Sequence, residues 1–104
     1  MDATTRKELA EYLRRATSGD IAEDEFYQRF NAWREMHGDD ALFNVVFREV
    51  EHFWANFHER NIFFIPVKPH KYQLEAARER MRILAKALEE NWDAGRANRE
   101  ASEY

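Results

Sequence analysis

The chain has no cysteine. That excludes a disulfide framework, and with it thiolate zinc and iron–sulfur centres. Glycine and proline number three and two, too few for the many turns of an all-β fold. No apolar run approaches the ~20 residues that span a bilayer; the longest runs only from Ile62 to Val67. The opening, MDATTRKELAEYLRR, is polar and charged and lacks the apolar stretch of a secretory signal. Together with the missing cysteine, it points to the cytoplasm. Serine occurs only at Ser18 and Ser102, neither in a nucleophile elbow. The three glycines are isolated, so there is no phosphate-cradling loop, and no His-Glu-x-x-His zinc motif occurs.

What is present suits one helical domain. The 104 residues are enough for a single core. Apolar residues make up 44% and aromatics 14%, while charged residues at 35% can coat the solvent side of helices. Sixteen basic against twenty acidic residues leave a net charge of −4. That balance opposes direct nucleic-acid binding, which needs an electropositive surface. It suits a basic protein partner, and it equally suits plain solubility.

Apolar periodicity predicts four helices and an all-α fold, a small four-helix bundle with a long apolar connector before the last helix. The first starts near Thr5, whose spacing to Glu8 is that of a capping box, and stops at Gly19. Leu9, Tyr12, Leu13 and Ala16 form its apolar side. The second runs from Glu23 to Met36 with Phe26, Phe30 and Trp33 along one face, preceded by Ile21 as a staple. The third follows Asp39 or Asp40 and extends to Phe57 or His58. Leu42, Phe43, Val46, Phe47, Val50, Phe53, Trp54 and Phe57 occupy an arc of about 140° on it, wider than the roughly 100° a single core-facing stripe needs. This helix is therefore expected at the centre of the domain, or with part of its aromatic face exposed. Residues Glu59 to Pro69 read as an extended connector, because Pro66 lacks a ladder N–H. The last helix covers His70 to Trp92, with Leu74, Ala77, Met81, Leu84 and Leu88 in register. The domain is thus placed at residues 1–93, and residues 94–104 are expected to form a flexible tail. The expected core is Leu9, Leu13, Phe26, Phe30, Trp33, Val46, Val50, Phe53, Leu74, Met81, Leu84 and Leu88.

Chemistry-bearing residues are few. Glu49 and His52 form a Glu-x-x-His pair, half of the pattern that carboxylate di-iron bundles build from two. His37, His58 and His70 supply no second half, so no metal or other cofactor is assigned. A helix-turn-helix reading fails because the third helix displays Phe, Val and Trp rather than basic and polar groups. What remains lies on the surface. Asp20, Glu23, Asp24 and Glu25 place four carboxylates at the turn and start of the second helix, and Glu35, Asp39 and Asp40 surround the next turn. Acidic residues at a helix N-terminus complement its dipole; alternatively, they steer a cationic partner. Trp54, on the outer edge of the apolar arc beside His58 and Glu51, and Tyr27 are candidate aromatic anchors.

The string LAEYLRRATSGDIAEDEFYQRFNAWRE resembles the opening of bacterial self-protective, colicin-D-type immunity proteins. The likeness lies in a first helix ending in a Ser-Gly-Asp-Ile turn, an acidic start with a Glu-Phe pair, and an aromatic helix. Leu9, Leu13, Gly19, Ile21, Glu25, Phe26, Phe30 and Trp33 carry it. The resemblance implies a small helical bundle that neutralises a cognate nuclease toxin, often a tRNA-cleaving one, by placing acidic residues in its basic active-site groove. Asp20, Glu23, Asp24 and Glu25 would be those residues here. The expected function is therefore a non-enzymatic protein-binding domain without cofactor, membrane or direct nucleic-acid contact. The competing readings are a small metal-dependent enzyme built on Glu49 and His52, and a structural module that self-associates through the third helix.

Overall fold

The computed structural model describes residues 1–63 and 68–104, with side chains described for 1–56 and 74–104. The fold is all-α. Five helices follow one another, α1 (Ala3–Ser18), α2 (Glu23–His37), α3 (Ala41–Phe63), α4 (Lys68–Glu90) and α5 (Ala94–Ala101), and there is no strand among the described residues. Among them, too, no helix is long and apolar enough to cross a membrane.

Local chemistry fixes the helix ends. Asp2 caps α1, its carboxylate accepting from the Thr5 amide at 2.7 Å, so the helix begins before Thr5 and the expected capping box there is not used. α1 closes with Gly19 at φ 77°, the left-handed residue of a Schellman turn. In that turn the Asp20 amide donates to the Arg15 carbonyl at 2.9 Å and the Gly19 amide to that of Ala16 at 3.3 Å. α4 ends the same way with a non-glycine residue. Asn91 takes φ 55°, and the Trp92 amide reaches the Ala87 carbonyl at 2.9 Å. Asparagine is one of the few side chains that tolerate this conformation. Asp40 caps α3 through the Phe43 amide at 3.0 Å.

All twelve residues expected in the core are buried. The central helix, however, is α4. It packs along α1 and along α3, and α5 folds back over α3 and α4. Small residues make these seams close, since Ala10 and Ala16 on α1 and Ala77, Ala85 and Ala87 on α4 are all buried. α2 packs differently. Its buried side chains are Phe26, Phe30 and Trp33. Phe30 stacks on Phe43 at 5.4 Å and on Phe47 at 6.0 Å, while Phe26 meets Trp54 at 5.8 Å. One edge of the wide apolar arc on α3 is thereby covered by α2, and the remainder is left to α4 and α5. Among the described residues of that arc, Leu42, Phe43, Val46, Val50, Phe53 and Trp54 are buried and Phe47 is partly buried.

The segment expected as a flexible tail carries the fifth helix. Asp93 caps it by accepting from the Arg96 amide at 2.8 Å, and Ala97 and Ala101 bury its inner face. Arg48 of α3 donates to Asn98 at 3.1 Å, and the Arg96 guanidinium lies 3.8 Å from the centre of the Trp92 ring. The connector expected at Glu59 to Pro69 is shorter, because α3 runs to Phe63 and α4 begins at Lys68. Its residues 64–67, with Pro66, lie outside the described residues.

Candidate functional site

The turn between α1 and α2 collects the first acidic group. The Schellman turn at Gly19 reverses the chain, and Ile21 tucks into the core. Ala22 then opens α2 from an extended backbone with no side-chain hydrogen bond to cap it. Glu23, Asp24 and Glu25 fill the first turn and complement the helix dipole. Asp20, Asp24 and Glu25 are exposed and Glu23 is half-buried. Among the described residues Arg15 lies beside them, at 3.7 Å from Asp20 and 3.8 Å from Glu25. At those distances, and on an exposed surface, such pairs are weak. Asp20, Glu23, Asp24 and Glu25 lie together at the turn and the first turn of α2.

Tyr27 lies on the next turn of the same helix, half-buried. Phe26 and Phe30 hold its ring edge-on at 5.6 and 6.0 Å. Burial pushes its phenol well above the usual range, and the nearby Glu51 and Glu23 carboxylates push it further. Glu51 of α3 thus joins the acidic face. Sequence spacing alone does not bring it beside Tyr27, which it approaches only because α2 packs on α3. Trp54 does not join that face as an anchor. Its side chain is 6% exposed, held by Phe53 at 5.0 Å and Phe26 at 5.8 Å. It sits inside the apolar arc and serves the core.

Of the second acidic group, Glu35 and Asp39 are exposed and Asp40 is used in the structure. Asp40 caps α3 and also accepts from the N-terminal ammonium at 2.9 Å. Burial acts to raise its pKa, but the bonds from the ammonium and the Phe43 amide outweigh burial and hold the carboxyl below its ordinary value. The two groups flank the 15 residues of α2, a span of about 22 Å.

The Glu49–His52 pair is divided. Glu49 accepts from Arg80 Nε at 2.5 Å, with the side chains only 12% and 18% exposed, whereas His52 faces solvent. This ion pair ties α3 to α4. Among the described residues no group of three or more His, Asp or Glu is placed to hold a metal ion; the side chains of His58 and His70 lie outside them. A shallow concavity is lined by Ala3, Arg6, Lys7 and Glu89. Set against known proteins, the chain matches no family model, no curated protein and no solved structure.

Proposed function

We propose that this chain is a non-enzymatic protein-binding domain that meets a basic protein through the turn between α1 and α2. One observation carries the reading. Asp20, Glu23, Asp24 and Glu25 gather at the turn and first turn of α2, where Asp20, Asp24 and Glu25 are exposed. Tyr27 and Glu51 extend that face along α2 and α3. Complementary charge of this kind accelerates encounter and selects the partner, and a half-buried tyrosine is a suitable contact residue beside it. The resemblance of the first third of the chain to colicin-D-type immunity proteins supports the same turn and narrows the partner to a nuclease toxin with a basic active-site groove. In this reading the domain acts in the cytoplasm by covering that groove, without a cofactor.

The test is direct. The purified chain is mixed at micromolar concentration with the nuclease encoded beside its own gene, and cleavage is followed. Inhibition by the chain, lost when Glu23→Gln, Asp24→Asn and Glu25→Gln are combined, is expected. The absence of a neighbouring toxin together with the absence of any captured protein would remove the immunity reading.

A further inference from the structure

We draw no further inference here: the strongest candidate, the open groove between α4 and α5 lined by Ile83, Lys86, Trp92, Glu100, Glu103 and Tyr104, carries none because nothing in the structure shows what covers it.

Discussion

Replacing Phe30 with alanine removes the ring that ties α2 to α3. Phe30 is fully buried, stacked on Phe26 at 5.3 Å, Phe43 at 5.4 Å and Phe47 at 6.0 Å, with the Phe47 ring plane tilted by only 3°. Taking such a side chain out of water contributes about 2–3 kcal/mol. The side-chain volume lost, on the order of 100 Å³ if no neighbour relaxes, adds about 2.4 kcal/mol at the usual cavity cost. The sum, about 4–5 kcal/mol, lies within the range for buried phenylalanines and is a large part of the total stability of a small domain. Urea denaturation followed by circular dichroism measures it through the shift in midpoint at constant slope. A loss below about 1 kcal/mol would mean that the ring is not enclosed on both sides.

Ala97→Glu puts a carboxylate into the seam of α5 with α3 and α4, where Ala97 is fully buried; a loss of about 2 kcal/mol or more is expected in thermal or urea unfolding, and unchanged stability would mean that α5 does not dock. The acid limb of stability should depend on Asp40. Its folded pKa is depressed, so its contribution is present above the ordinary carboxyl value of about 4 and is lost as pH falls through the folded value. Asp40→Asn keeps a capping side chain but removes that titration, and the melting temperature of the variant should fall less steeply than that of the wild type below about pH 4; parallel curves would contradict the assignment.

The buried faces of α1 to α4 were legible because large apolar residues recur at helical spacing, and a residue such as Val50 or Leu84 has one place to go. The fifth helix was not, because its contribution is two alanines, Ala97 and Ala101. Methyl groups carry little hydropathy, yet they let backbones approach closely. The signals were the capping Asp93 and the Arg96–Glu100 pair at i,i+4, with a 3.3 Å contact, both polar and both outside an apolar count. The same blindness to small residues placed α3 at the centre, since its aromatics outweigh the alanines of α4 in any hydropathy reading. Trp54 fell on the wide edge of the α3 arc, and only the crossing of α2 shows that Phe26 covers it. The acidic turn itself was readable from four carboxylates in six residues. The meeting of Tyr27 with Glu51 was not, because it is a contact between two helices.

If the carboxylates of the α1–α2 turn act in binding as proposed, the association rate with the partner should depend on them across a range of ionic strength. For the wild-type chain the rate should fall steeply with added salt, because screening removes long-range attraction. With Glu23→Gln, Asp24→Asn and Glu25→Gln combined, the low-salt rate should drop severalfold and the salt slope should flatten, with unfolding stability nearly unchanged. Identical rates and identical slopes for the two proteins, with a small loss of stability in the variant, would assign the cluster to the helix dipole and solubility alone and contradict the account.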